Sequence, residues 1–315
     1  MRFSVVLNNF NYGRFVGEAI GSVLAQDFGD FELVVVDDGS SDDSREVIAG
    51  FRDPRIRTVF KPNGGQLSCF DAAAELIGGE IVCFLDADDL YEHGYLARLD
   101  RFYREHPDCA CAFCRLRRFG NDERLSVDWD EPVRWGASAF LTAVLHLPVG
   151  AETSACSMTA EIFRRFMPWR EGEPEWRIRA DDVLLWGAAM CGAVKYFIPD
   201  VLVRYRVHGG NGFCGAVPKP EETAKRRIAA EKFCSHLVPP GFDWGRELEA
   251  ELAQGGLPRR FYRRALAALV RDALLFRKHR CGIGRRIIPA LLGHLLSGTG
   301  KDKAVPDAVS RRFGL

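Results

Sequence analysis

Over the first ninety residues, short apolar blocks alternate with amphipathic stretches. Phe3–Leu7 (FSVVL), Phe31–Val36 and Glu80–Leu85 are hydrophobic at nearly every position, and Arg55–Phe60 is a shorter, more polar version. Continuous apolar runs of this length predict strands buried on both faces. Between them, helical spacing predicts a helix from about Gly13 to Gln26, with Phe15, Ala19, Ile20, Val23 and Leu24 on one side. A second helix is predicted through Ile48, with Ser41 and Asp42 as caps, and a third from Gly65 to Leu76. Strands alternating with helices imply an α/β fold with a mostly parallel central sheet flanked by helices. In such sheets ligands lie beyond the carboxyl ends of the strands. The polar clusters after Leu7, Val36, Phe60 and Leu85 all fall there.

Beyond about Cys109 the pattern changes. Cys109–Phe119 and Arg124–Val127 flank a Gly-Asn-Asp turn and predict a hairpin, and 128–180 reads as irregular and rich in tryptophan. Asp181–Met190 predicts a helix, and Ala193–Arg206 short strands broken at Pro199. From Pro218 onward the chain reads as helical and basic. The domain reading is therefore 1–217 for the α/β domain, divided into a ligand-binding part (1–115) and a second part (116–217), with 218–315 a helical extension.

Charge supports that division. The 315 residues carry 43 basic and 43 acidic side chains, a formal net charge of zero. The balance hides an excess of basic residues after about residue 220, cancelled by an acidic first part. Neutrality argues against a nucleic-acid partner, and the composition excludes a disordered chain or a small disulfide scaffold. The ten cysteines show no pairing logic. The apolar run at the N-terminus is too short for a secretory signal, and no run is long enough to span a membrane. A reducing, cytoplasmic location is the expectation. Cys109, Cys111 and Cys114 have no second Cys/His pair at ligand spacing, so small buried side chains are expected there rather than zinc.

Three carboxylates crowd the end of one strand in Asp86-Ala87-Asp88-Asp89. Like charges so close repel, and are tolerable where a divalent cation sits among them. Hard oxygen ligands suit Mg²⁺ or Mn²⁺; the alternative is that Asp88 or Asp89 caps a helix starting near Tyr91. A second acidic strand end, Asp37-Asp38-Gly39-Ser40, could accept a hydrogen bond from a base N–H or simply form a turn. In the loop Asn8-Asn9-Phe10-Asn11, Phe10 offers a face for a nucleobase or a core contact.

Together these segments resemble the family 2 glycosyltransferases of GT-A fold. The matching stretches are Ser4–Asp43, KPNGG (Lys61–Gly65) and GGEIVCFLDADD (Gly78–Asp89), with a further block at Ala180–Asn211 in which an acidic pair opens a helix and a YRxH…N motif follows. The resemblance implies a nucleoside-diphosphate sugar donor, inverting transfer to an acceptor hydroxyl and metal assistance by Mn²⁺ or Mg²⁺. It further implies Asp88 as principal metal ligand, with Asp86 on the ribose or the ion, Asp89 as a weaker second ligand and His208 as a metal or diphosphate contact. Asp38, supported by Asp37, would read the base, and Phe10, Asn11 and Lys61 would complete the nucleotide pocket. Asp182 would be the catalytic base, supported by Asp181, although the family more often has Glu at the first of these two positions. Asn8 stands where the family usually has proline, and Asp71 where it often has asparagine.

Two other functions fit an α/β nucleotide fold: a sugar-activating nucleotidyltransferase, or a non-catalytic carbohydrate-binding protein on a degenerate GT-A fold. The first would carry a Gly-rich basic loop after the first strand, where NNFNYGRF stands instead, and the intact acidic sets oppose the second. Trp129, Trp135, Trp169 and Trp176 would either line a site for a saccharide acceptor or pack in the core. In the tail, Arg260, Arg264, Arg271 and Lys278 share one helical face and Tyr262, Ala265, Leu266, Leu269, Ala273 and Phe276 the other. A basic amphipathic helix of this kind either lies on the inner face of an anionic membrane, which suits a lipid-linked acceptor, or packs on its own domain.

Overall fold

The computed structural model describes residues 1–127, 129–145, 149–172, 174–211, 220–238, 242–254 and 259–275, with a few positions between 257 and 295 besides. In chain order the elements are β1 (Phe3–Asn9), α1 (Gly13–Leu24), β2 (Phe31–Asp37), α2 (Ser44–Gly50), β3 (Ile56–Phe60), α3 (Gln66–Ala74), β4 (Ile81–Asp86), β5 (Leu90–Tyr91), α4 (Tyr95–Glu105) and β6 (Cys111–Gly120). There follow β7 (Val133–Gly136), α5 (Ala139–Leu145), β8 (Cys156–Thr159), α6 (Ala160–Phe166), α7 (Asp181–Met190) and β9 (Lys195–Val207). The helices α8 (Pro220–Leu237), α9 (Trp244–Gln254) and α10 (Arg259–Leu275) complete the described chain.

One sheet runs β3-β2-β1-β4-β8-β6-β9-β5, with β7 on β9. The pairs β3–β2, β2–β1 and β1–β4 are parallel, as the apolar runs predict. Alternation places Val6, Val34, Val36, Val82 and Phe84 in one core and Val5, Leu7, Leu33, Val35, Cys83 and Leu85 in the other. β1, β2 and β4 are thus covered on both sides, which is why they show no polar face, whereas β3 at the edge is partly exposed.

The second half departs from the sequence reading. The hairpin after Cys109 shrinks to a single bridge between Arg117 and Leu125. The long partner of β6 is instead β9, in parallel register, and Pro199 produces a bulge opposite Cys114 and Arg115 rather than a strand break. The stretch read as irregular supplies β8, which pairs antiparallel with both β4 and β6 and joins the two halves into one sheet. Cys111 belongs to one core and Cys109 and Cys114 to the other, so the cluster straddles the sheet and cannot converge on a metal. Trp135, Trp169 and Trp176 are buried, and Trp129 packs on Trp135 and Phe197, which makes all four core residues rather than a sugar platform. Asp71 accepts a hydrogen bond from the Trp169 backbone N–H at 2.6 Å, a task asparagine would also perform.

The described C-terminal helices share the core on the α5–α7 side. Phe233 of α8 packs on Trp169 and Phe166, and Leu248, Phe261, Tyr262 and Ala265 join the same cluster. Arg263 and Arg264 are exposed and Arg260 half-buried. Phe276 and Lys278 lie outside the described residues, as do the side chains of Arg271 and Ala273. No helix among the described residues is long and apolar enough to cross a membrane.

Glu251 fastens this extension to the domain. It is 1% exposed, accepts from the Phe140 N–H at 2.9 Å and from the Tyr262 hydroxyl at 3.3 Å, and burial pushes its carboxyl up to about 8. At neutral pH it therefore resembles an amide. Glu251→Gln is expected to hold stability within about 1 kcal/mol, whereas Glu251→Ala, which orphans two buried donors, loses about 2–3 kcal/mol. Urea unfolding of the two variants checks the pair.

Candidate active site

β1, β2 and β4 each end in a polar residue on one rim of the sheet. Register places Asn9 beside Asp37 and Asn8 beside Asp86, so the loops after β1, β2 and β4 open together. Asp37 accepts from Asn9 Nδ2 at 2.8 Å, from the Ser40 hydroxyl at 2.5 Å and from Arg45 Nε at 3.0 Å. Burial pushes this carboxyl up, but those hydrogen bonds outweigh it and leave it below the usual range. Asn11, with a left-handed φ of 56°, accepts from the Ser41 N–H at 2.8 Å, and Phe10 beside it is 46% exposed.

Asp38 turns inward and organises the KPNGG loop. Its Oδ1 accepts from Lys61 Nζ at 2.6 Å and the Gly64 N–H at 2.8 Å, and its Oδ2 from the Gly65 N–H at 2.7 Å and Asn63 Nδ2 at 3.0 Å. Two glycines make this possible. At Gly39 (φ 78°) a Cβ would stand 2.6 Å from the Asn63 backbone nitrogen, and at Gly65 (φ 91°) 2.3 Å from Arg177 Cα. The second approach brings the segment before α7 against the start of α3.

The carboxylates after β4 occupy three different settings. Asp86 accepts from Gln66 Nε2 at 2.9 Å; burial first, then the charge of Asp88 and more weakly of Asp181, pushes it up to about 7 against hydrogen bonds from Asn8 and Gln66. The asparagine at position 8 thus acts directly on the acidic cluster. Asp88 Oδ2 meets His208 Nε2 at 3.1 Å and Asn211 Nδ2 at 3.2 Å, and burial raises its carboxyl too. Asp89 is 1% exposed, with Oδ1 accepting from the Arg206 N–H at 2.8 Å and Oδ2 from the Ser154 hydroxyl at 2.6 Å. Burial, followed by Asp88 and Asp86, raises it well above the ordinary value. Asp89 thereby joins the β4 end to the turn Thr153–Ala155 and to β9.

Asp181 and Asp182 open α7, both largely buried, and Arg179 Nη2 stands 3.1 Å from Asp182 Oδ2. Asp181 is close enough for its charge to reach Asp86. The structure therefore gathers the sequence-derived residues into two adjoining groups: Phe10, Asn11, Asp37, Asp38 and Lys61 at the ends of β1–β3, and Asp86, Asp88, Asp89 and His208 with the Asp181–Asp182 pair across from Asp86. Sequence reasoning passed over Gln66, Ser154 and Arg206. Arg206 lies within the YRxH motif, where its guanidinium sits between the rings of Phe15 and Phe119 at 4.5 and 4.6 Å and its Nε donates to the Asp88 carbonyl. Gln66 and Ser154 carry no local signal, because their partners are 20 and 65 or more residues away.

Among the described residues no three His, Cys, Asp or Glu side chains close into a metal cage. The donor set is nonetheless suited to a hard cation. Mg²⁺ and Mn²⁺ sites for nucleotides use one or two carboxylates and leave the other positions to phosphates and water. Asp88, whose orientation His208 and Asn211 fix, and Asp86 could serve as such a pair; burial raises both carboxyls, and at Asp86 the charge of Asp88 adds to it.

Residues 4–165 match the family model described as "Glycosyl transferase family 2". An uncharacterized glycosyltransferase of Nostoc sp. is 33% identical over 241 residues, which cover 73% of this chain and 73% of that protein. The GalNAc(5)-diNAcBac-PP-undecaprenol beta-1,3-glucosyltransferase of Campylobacter jejuni is 34% identical over 128 residues, 38% of this chain and 40% of that enzyme. Among solved structures, residues 1–349 of S. aureus TarS, crystallised with UDP-GlcNAc, superpose with a TM-score of 0.61 at 16% sequence identity, covering 99% of this chain and 83% of that one. The fold is accordingly of the GT-A type. With the acidic strand ends, the parallel half-sheet and the extent of these matches in agreement, the chain belongs to glycosyltransferase family 2.

Proposed function

We propose that this glycosyltransferase takes its sugar from a nucleoside-diphosphate donor and passes it to an acceptor hydroxyl in one inverting displacement. The observation that supports this most is the juxtaposition of two acidic sets: the buried carboxylates after β4 and the Asp181–Asp182 pair, linked through the Gln66 amide to Asp86 and Ala180, with the charge of Asp181 reaching Asp86. One set suits the leaving diphosphate and the other the incoming hydroxyl. The base lies against Phe10 and the Asp37–Asp38 turn, with Asp38 holding Lys61 and the KPNGG loop in place. Asp86 and Asp88 would hold Mn²⁺ or Mg²⁺, which supplies Lewis-acid neutralisation of the departing diphosphate. His208 orients Asp88 and stands beside the same position. Asp89, with both oxygens engaged by Ser154 and Arg206, contributes by fixing the loop rather than as a strong ligand. Asp182 accepts the acceptor's proton, with Asp181 in support.

The acceptor in this reading is a saccharide, free or lipid-linked, and the protein works in the cytoplasm, at the inner face of the membrane when its acceptor is lipid-linked. The named acceptor of the Campylobacter relative and the exposed Arg263 and Arg264 support the lipid-linked form. The test is a thermal-shift screen of nucleoside diphosphates and nucleotide sugars, with and without Mn²⁺ or Mg²⁺. One nucleotide series is expected to stabilise only with the cation, by about 2.7 kcal/mol at roughly 100 times Kd. Absence of any cation-dependent nucleotide shift would remove the donor assignment.

A further inference from the structure

We propose that Gln66 is a positioning residue, whose side-chain amide sets the separation between the leaving-group carboxylates and the helix carrying the base. Its Nε2 donates to Asp86 Oδ1 at 2.9 Å while its Oε1 accepts from the Ala180 N–H at 2.9 Å. Ala180 is the residue immediately before Asp181. One planar amide therefore spans from the end of β4 to the first turn of α7.

The surroundings fix that amide in place. The backbone N–H groups of Gln66 and Leu67 donate to the carbonyls of Arg177 at 2.9 Å and Trp176 at 3.2 Å. Gly65 allows the approach, since any side chain there would strike Arg177. Trp176 is fully buried and meets Trp186 of α7 edge-on at 5.3 Å. The chemistry of the position is narrow as well. The residue must donate to a carboxylate and accept from a backbone N–H at once, which an amide does and neither a carboxylate nor a hydrocarbon can. Asparagine has the chemistry but is one methylene too short to reach both ends.

The consequence follows from geometry. In a single displacement the acceptor oxygen, the sugar carbon and the leaving oxygen must lie in line, and misplacement by about 1 Å costs on the order of 100-fold in rate. Asp86 lies on the leaving side and Asp182 on the attacking side, so a strut between them acts on alignment rather than on donor affinity. This inference rests on the roles proposed above for Asp86 and Asp182.

The test compares wild type with Gln66→Leu, which breaks both ends, and Gln66→Glu, which keeps the acceptor toward Ala180 but not the donor toward Asp86. UDP-glucose, UDP-galactose and UDP-GlcNAc with Mn²⁺ serve as donors. Both variants are expected to lose about 10–100-fold in kcat with donor KM within threefold. Hydrogen exchange gives a second readout independent of turnover. Addition of UDP and Mn²⁺ should slow amide exchange over 180–184 in wild type and not in either variant. A kcat within threefold of wild type in Gln66→Glu, or ligand-induced protection over 180–184 that survives in Gln66→Leu, overturns the proposal. Asp182→Asn is run alongside: full activity there overturns the base assignment instead, so the two failures are distinguishable.

Discussion

Asp88→Ala is expected to abolish sugar transfer, by about 10²–10³-fold or more, while the protein stays folded. The carboxylate stands among Asp86 and Asp89 in a buried cluster: burial raises all three, and the charge of Asp88 adds to it at Asp86, which reaches about 7, and at Asp89. Deleting one member relieves the other two, so the variant should melt no lower than the ion-free wild type. What disappears is the stabilisation that Mn²⁺ and a nucleoside diphosphate confer together. The pH dependence has a definite sign. A carboxyl whose folded value is raised from 3.8 to about 7 holds a proton that the unfolded chain has already lost. Its contribution to ion-free stability is therefore present below 3.8 and is lost as pH rises through 7. A bound cation supplies the missing counter-charge, so the Mn²⁺-dependent rise in Tm should be larger at pH 8 than at pH 5.5 in wild type and absent at both in Asp88→Ala. Activity of the variant within tenfold of wild type, or a retained Mn²⁺ shift, would displace the metal from Asp88.

How much of this was legible in the chain depends on how local the determinant is. β1, β2 and β4 are apolar on both faces because each lies between two cores, and that produces an unbroken hydrophobic run ending in a polar residue. The acidic sites inherit this clarity: Asp37, Asp38, Asp86, Asp88 and Asp89 stand directly after such runs, and the start of α7 is marked by the helix it opens. β8 has no such signature. It is four residues long, reads CSMT, and exists because β4 and β6 each offer it an edge from more than forty residues away. The hairpin expected after Cys109 keeps one bridge, at Arg117, on the edge of β6 that also receives β8, while β9 takes the opposite edge in a far longer register. The tryptophans and cysteines could not be assigned before the faces of the sheet were known. Gln66 is the extreme case, an ordinary residue after a glycine pair whose significance lies entirely in partners at 86 and 180.

Asp182→Asn is expected to retain donor and cation binding yet lose about 10²–10⁴-fold in transfer. Asparagine preserves the size of the side chain and its hydrogen bond with Arg179, so the start of α7 should keep its conformation and the nucleotide-dependent thermal shift its size. The lost property is the capacity to take a proton from the acceptor hydroxyl, which an amide oxygen does not do at neutral pH. The reduction should therefore fall on kcat and leave donor KM nearly unchanged, the signature of an interaction needed only in the transition state. Asp181→Asn distinguishes the two members of the pair. Its charge reaches Asp86, so its removal alters the donor side and should change the cation dependence more than the chemical step. If Asp181→Asn eliminates transfer with donor binding intact while Asp182→Asn stays active, the base is Asp181, at the position where the family more often carries Glu. If both variants transfer at the wild-type rate, the base is on neither residue and the inverting role of α7 is lost. The expected result is asymmetric, with Asp182→Asn inactive but nucleotide-competent and Asp181→Asn impaired but turning over.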